Sequence, residues 1–162
     1  MITPARSVGW ADLERDRPDL GEAGRRLMYA FGVGLAFLST VRSDGGPRVH
    51  PMCPLIQEGG LFGFLIPSPK AGDLRRDPRY AMHSFPMEDN EDAFYLTGEA
   101  REVMDAELRA MLQASFLTER PGIADLDLSG QALFEFLIGL AMHTTTTGHG
   151  DPSPRHEIWR PA

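Results

Sequence analysis

The chain has one cysteine, Cys53, one lysine, Lys70, and no apolar run long enough to cross a bilayer. A single thiol excludes an internal disulfide framework and any all-cysteine metal site, so Cys53 reads as a small buried apolar residue. The longest apolar stretch, Leu133 to Met142, is interrupted by Glu135 and falls far short of the ~20 residues a spanning helix needs. A basic excess is also missing. Lys and Arg total 16 against 23 Asp and Glu, a net charge of −7, so the electrostatic part of nucleic-acid binding has no source. The segment Met1 to Trp10 carries Arg6 but no apolar h-region, and a cytoplasmic protein without a secretory signal is expected.

What is present is a chain of 162 residues, the size of one compact domain. From Trp10 to Gly34 the pattern is helical, and a helix over about 20–31 is expected, with Asp19 as its cap and Leu27, Met28 and Phe31 on one side. Extended runs follow at Leu35 to Arg42, Pro47 to Ile56 and Leu61 to Ile66. They are separated by the turns Ser43-Asp44-Gly45-Gly46 and Glu58-Gly59-Gly60. Ser68-Pro69-Lys70 opens a short helix that Asp77-Pro78 ends. Two further strands are expected at Arg79 to Phe85 and Phe94 to Val103, the second with Tyr95, Thr97, Glu99 and Arg101 on one face. Asp105 caps a helix over about 105–116, a polar and acidic loop covers Arg120 to Gly130, and the segments from about Phe134 to Thr147 and from Arg155 to Arg160 form a closing hairpin. Six or seven mostly antiparallel strands with flanking helices avoid open edges by closing into a small barrel, so one helix-decorated barrel domain over residues 1–162 is expected.

The segment with most chemical content is Ser68-Pro69-Lys70. Serine suits an N-cap and proline the first helical position, and a helix N-terminus offers free N–H groups and partial positive charge to an anion. Lysine in that first turn is disfavoured by the helix dipole unless an anion is bound there. Arg75 and Arg76, near the other end, are favourable without any ligand. A second segment, Arg48 to Cys53, alternates Arg48, His50 and Met52 with Val49, Pro51 and Cys53, and its prolines leave backbone groups unpaired, as at an edge or bulge beside a cleft. Gly32-Val33-Gly34 lacks the third glycine and the following helix of a dinucleotide fingerprint. His143, His149 and His156 match no standard zinc spacing, so no metal is expected. Ser84 and Ser115 have no base in sequence context, and no catalytic side chain is assigned.

Phe37-Leu38-Ser39-Thr40-Val41, Pro47-Arg48-Val49-His50-Pro51, the Gly-Leu-Phe-Gly-Phe run at 60–64, Ser68-Pro69-Lys70-Ala71-Gly72-Asp73-Leu74, Asp77-Pro78-Arg79, Leu96-Thr97-Gly98-Glu99-Ala100 and the closing His156 to Arg160 together resemble the FMN-binding split β-barrel proteins related to pyridoxamine 5'-phosphate oxidase. The resemblance implies an antiparallel split barrel and a homodimer with flavin at the subunit interface. By matching positions, Ser68 and Lys70 would hold the phosphate, with Arg48 and Arg75 adding charge. Arg48, Val49, His50 and Pro51 would run along the ring system, and Trp159 or Arg160 would reach the site from the partner subunit. The Arg-x-His element that serves the vitamin B6 substrate in the oxidase has no equivalent, so another small-molecule substrate is implied. Related barrels use the deazaflavin F420 or haem. An F420-dependent reductase with Arg25, Arg26 and Arg48 along the cofactor tail is thus one alternative. Another is a non-catalytic flavin or haem barrel with His50, Met52 and His83 near the iron.

Overall fold

The computed structural model describes residues 6–162; Met1 to Ala5, part of the segment read above as lacking a signal, lie outside the described residues. Two short helices open the chain, α1 (Trp10–Asp16) and α2 (Pro18–Met28). The expected single cap at Asp19 is corrected: Pro18 sits in the first turn, Arg17 takes the N-cap position, and Asp19 accepts instead from the Arg17 guanidinium. The helix also stops at Met28, before the expected Phe31. Phe31 adopts the left-handed conformation (φ 64°) inside a following 3₁₀ turn and is 60% exposed, so it is not on the core face.

Eight strands follow: β1 (Ala36–Val41), β2 (Pro47–Met52), β3 (Leu55–Gln57), β4 (Gly60–Leu65), β5 (Arg79–Ser84), β6 (Ala93–Glu102), β7 (Ala132–Thr145) and β8 (Arg155–Trp159). The helix α3 (Pro69–Arg76) joins β4 to β5, and α4 (Ala106–Thr118) lies between β6 and β7. The run expected as one strand over Pro47 to Ile56 breaks at Cys53-Pro54, because Pro54 cannot donate to a ladder. Its halves become the two ends of the sheet path β2-β1-β5-β6-β7-β4-β3. The chain therefore steps from one sheet edge to the other in two residues, which curls the sheet into a split barrel.

β7, 14 residues long, organises the closure. Its first four residues pair with β4, Phe134 to Thr144 with β6, and its last five residues with β8. A register shift between Thr97 and Gly98 gives β7 an extra residue at Gly139. A Cβ on Gly98 would lie 1.9 Å from the Leu137 carbonyl oxygen, so the bulge requires glycine there.

The interior is filled from both ends. Leu38, Met82, Leu96, Phe136 and Ile138 point into the barrel, while Trp10, Leu13, Leu20 and Leu27 from α1 and α2 cover one opening. A second cluster, Leu55, Phe62, Phe64, Leu112, Phe116 and Leu128, lies between the outer face of β3 and β4 and α4. This explains why every residue of β4 is buried and why its sequence reads as an unbroken apolar run rather than an alternation. Asp105 caps α4 as expected, accepting from the Leu108 N–H at 2.7 Å. Among the described residues no helix is long and apolar enough to cross a membrane.

Candidate functional site

α3 packs against β1 and β6, with Lys70, Ala71, Asp73 and Leu74 on its buried side. Ser68 occupies the N-cap position and Pro69 the first turn, as the sequence implies, yet the serine hydroxyl caps nothing. Its Oγ is buried and has no hydrogen-bond partner. Two residues on, Lys70 is only 6% exposed and forms no ion pair with any described residue. Burial without a counter-ion pushes its ammonium pKa below the ordinary lysine value. A helix N-terminus with an idle hydroxyl and an uncompensated ammonium has chemistry suited to an anion.

Arg48 is placed nearby but its charge is already engaged. Its Nε donates to Asp73 Oδ2 at 2.7 Å, and the same carboxylate accepts from Thr40 Oγ1 at 2.9 Å and Arg76 at 3.0 Å. Asp73 is 3% exposed. Burial alone would raise its pKa, but the bonds from Arg48, Arg76 and Thr40 outweigh that and hold it below the usual carboxylate value. Asp73 thus ties β2 and β1 to α3, a role that sequence spacing does not reveal.

On β2 the alternation resolves with Arg48, His50 and Met52 on the face shared with the buried Thr40, Leu38 and Ala36 of β1. Val49 and Pro51 face outward, and Val49 is 59% exposed. Arg75 makes a two-pronged ion pair with Glu102, at 2.8 and 2.6 Å, and so stabilises α3 against the end of β6. Trp159 is 8% exposed in its own chain's core. It pairs with Ala141, nine residues along β7 from Ala132, a separation of about 30 Å. His83 points outward on β5, its Nδ1 2.6 Å from the Ser84 carbonyl oxygen. His156 bonds the Thr144 hydroxyl and His149 the Glu88 carbonyl. Among the described residues no three His, Cys, Asp or Glu side chains are grouped to hold a metal ion.

Two cavities flank the first turn of α3. The larger, about 550 Å³, is about equally polar and apolar and takes in Ser68, Arg75, Glu102, Arg109 and Ser129 with Leu65, Val103 and Met104. The smaller, about 200 Å³, lies at the break between β2 and β3 and takes in Lys70, Met52, Cys53, Phe64 and Phe116. The loop from Arg120 to Gly130, read as polar from its sequence, is a wall of both. It contributes Ile123, Leu126 and Leu128 to the small cavity and Ser129 and Gly130 to the large one, and Gln131 just after it lines both. Two arginines hold this wall, and sequence reasoning misses both. Arg109 donates to the carbonyls of Leu128 and Gln131 at 2.8 and 2.6 Å. Arg120, 1% exposed, donates to the carbonyls of Val33 and Pro54, both at 2.7 Å, with its guanidinium 4.1 Å from the Phe116 ring centre. Cys53 is half-buried on the cavity wall, and burial raises its thiol pKa. The spacing of Ile123, Leu126 and Leu128 within an acidic loop is the signal that could have exposed the wall.

No protein-family profile matches the sequence, and no curated protein matches it. Solved structures do resemble it. A haem-binding protein from Mycobacterium smegmatis superposes with a TM-score of 0.65 at 19% identity, over 89% of this chain, which spans 59% of that protein's length. A Clostridium acetobutylicum protein related to general stress protein 26 of B. subtilis, of the pyridoxinephosphate oxidase family, gives 0.58 at 12% identity, over 93% of this chain and 95% of that one. The haem storage protein HutZ from Vibrio cholerae gives 0.57 at 16% identity, over 89% and 93%. These likenesses establish the fold: the chain has the split-barrel architecture of the pyridoxine phosphate oxidase-like proteins.

Proposed function

We propose that the chain is an FMN-binding oxidoreductase of small molecules that works as a homodimer. The carrying observation is that the start of α3 carries both the buried Lys70 ammonium and the unpartnered Ser68 hydroxyl, one on each of the two cavities that flank it. These residues fit the phosphate end of a flavin mononucleotide: Ser68 Oγ and the free N–H groups of the first turn donate to it, and Lys70 supplies charge in a poorly solvated place. The flavin, when bound, supplies hydride or electron transfer. Arg48 and His50 on the inner face of β2, and the backbone of Val49 and Pro51, form the wall beside it. Asp73 fixes Arg48 in orientation. Arg75 lines the larger cavity together with its ion-pair partner Glu102, so it brings N–H donors there rather than net charge. Trp159 is buried in its own chain's core, so of the two closing residues the exposed Arg160 is the one free to reach a partner's site.

Dimerisation is supported by the outer face of the sheet, where Phe37, Val49, Tyr95, Leu140, Met142 and Ile158 are all partly or fully exposed. An outward apolar face of this breadth is a common interface feature. A haem-binding barrel is the second reading, favoured by the Met52 thioether on the small cavity and by the two haem proteins that share the fold. An F420 site has less support. Arg25 is committed to Glu14 at 2.5 Å, and with Arg26 it lines a separate cavity bordered by Glu119.

The deciding experiment incubates purified protein with FMN, F420 or haemin, removes free ligand by gel filtration, and records absorption and elution volume. Flavin retained at the volume of a dimer supports the proposal. Retention of haemin or F420 with no FMN moves the assignment to that cofactor.

A further inference from the structure

The smaller cavity has a composition that the phosphate anchor does not require. Its wall is apolar nearly throughout, built from Met52, Phe64, Phe116, Ile123, Leu126 and Leu128, and only Lys70 and Gln131 bring polar groups to it. Lys70 is more than nine-tenths buried and has no hydrogen-bond or ion-pair partner among the described residues. A phosphate on a sugar-like chain has no use for this apolar lining, whereas a compact apolar body does. The volume of about 200 Å³ sets the size, since an apolar cavity of about 150 Å³ accommodates benzene. At the mouth, Ile66 and Leu126 are 55% and 42% exposed, so the approach is apolar as well. One side is the loop segment anchored by Arg109 and Arg120, with Leu126 at its rim.

We infer that this cavity is the substrate pocket, and that it takes a one-ring apolar molecule with one oxygen-bearing head group, a carboxylate or carbonyl, that accepts a hydrogen bond from the Lys70 ammonium. The inference deepens the oxidoreductase reading by naming its substrate class, although binding itself does not depend on flavin. An ammonium keeps three donors, so the α3 terminus can hold an anion on its Ser68 side while Lys70 serves an acceptor in the pocket. A cationic head group is rejected by like charge, and a purely apolar ligand leaves the ammonium unpaired.

The test titrates apo and FMN-treated protein, labelled at methionine methyl groups, with phenylacetate, acetophenone and phenethylamine, and follows the methyl resonances by NMR. Phenylacetate and acetophenone are expected to move the Met52 signal saturably, with the 82% exposed Met104 unaffected, and phenethylamine to bind at least ten-fold more weakly. In Lys70→Met the discrimination among the three should vanish, and in Lys70→Arg the preference for phenylacetate over the amine should persist. Absence of saturable shifts at Met52, or discrimination that survives in Lys70→Met, overturns the inference. If FMN is not retained but phenylacetate still binds at Met52, the flavin reading fails and the pocket stands. If FMN is retained and displaces phenylacetate competitively, the pocket belongs to the flavin and the inference fails.

Discussion

Replacing Lys70 by methionine should make the ligand-free protein more stable and its anion site weaker. The side chain is 6% exposed with no counter-ion, among Met52, Phe64 and Phe116. A methionine of similar length fills the same space without an ammonium to desolvate. Exchange of a buried ion pair for well-packed apolar volume ranges from neutral to a gain of roughly 1–4 kcal/mol where it has been measured. A lone ammonium that retains a sliver of solvent contact belongs at the low end. About 1 kcal/mol corresponds to a melting temperature higher by roughly 2–4 °C in a chain of this size. The pH dependence has a definite sign. Burial lowers the folded-state pKa beneath 10.5, so between that lowered value and 10.5 the unfolded chain holds a proton the folded chain lacks, and wild-type stability rises with pH. The advantage of Lys70→Met should thus be largest at neutral pH and shrink as pH approaches 10.5. Binding should move the other way. Loss of a charge-assisted hydrogen bond costs roughly 1.5–3 kcal/mol, about a ten- to hundred-fold weaker Kd for FMN by flavin fluorescence quenching. A variant that melts below wild type at pH 7 and retains full FMN affinity would refute the reasoning on both counts.

Other consequences can be checked with the same assays. Asp73→Asn leaves Arg48 and Arg76 without their shared carboxylate. In the wild type the depressed pKa makes the Asp73 contribution present above its unfolded value of 3.8 and lost as pH falls through the folded one. Denaturant titrations should show an acid loss that flattens in Asp73→Asn. Gly98→Ala forces a Cβ to 1.9 Å from the Leu137 carbonyl oxygen, and urea unfolding should register a loss of about 2 kcal/mol or more; a neutral result would mean the bulge at Thr97 and Gly98 is readily rearranged. Arg120→Met strands the carbonyls of Val33 and Pro54, and a loss of about 3 kcal/mol should lower the melting temperature by roughly 6–12 °C. Val49→Asp puts charge on the outward sheet face at a site already 59% exposed, so under the proposed dimer sedimentation should show dimers for wild type and monomers for the variant, with folding unaffected; an unchanged assembly would place the interface elsewhere.

The local elements were legible because each follows from nearest-neighbour chemistry. Asp105 and Ser68-Pro69 mark helix starts, Asp77-Pro78 a helix end, and the alternation Tyr95, Thr97, Glu99, Arg101 the outward face of a strand. Composition alone also disposed of disulfides and membrane-spanning helices, since neither can be built without the residues. Tertiary structure decided the rest, wherever a residue's role depends on a distant partner. Phe31 fits a helical stripe, but the chain had to turn toward β1, and the stripe ended at Met28. Arg48 looked available for a ligand until α3 brought Asp73 within 2.7 Å of it, 25 residues away in sequence. The 120–130 loop, with Asp125 and Asp127, read as polar and acidic and left open whether it covers a pocket or merely connects; only its fold across the break between β2 and β3 made Ile123, Leu126 and Leu128 a cavity wall. Lys70 stood out by its rarity, but whether its charge was satisfied depended on every chain segment packed around it. Sequence determines which groups a chain can offer; only the packing fixes which of them are left without a partner, and ligands bind to those.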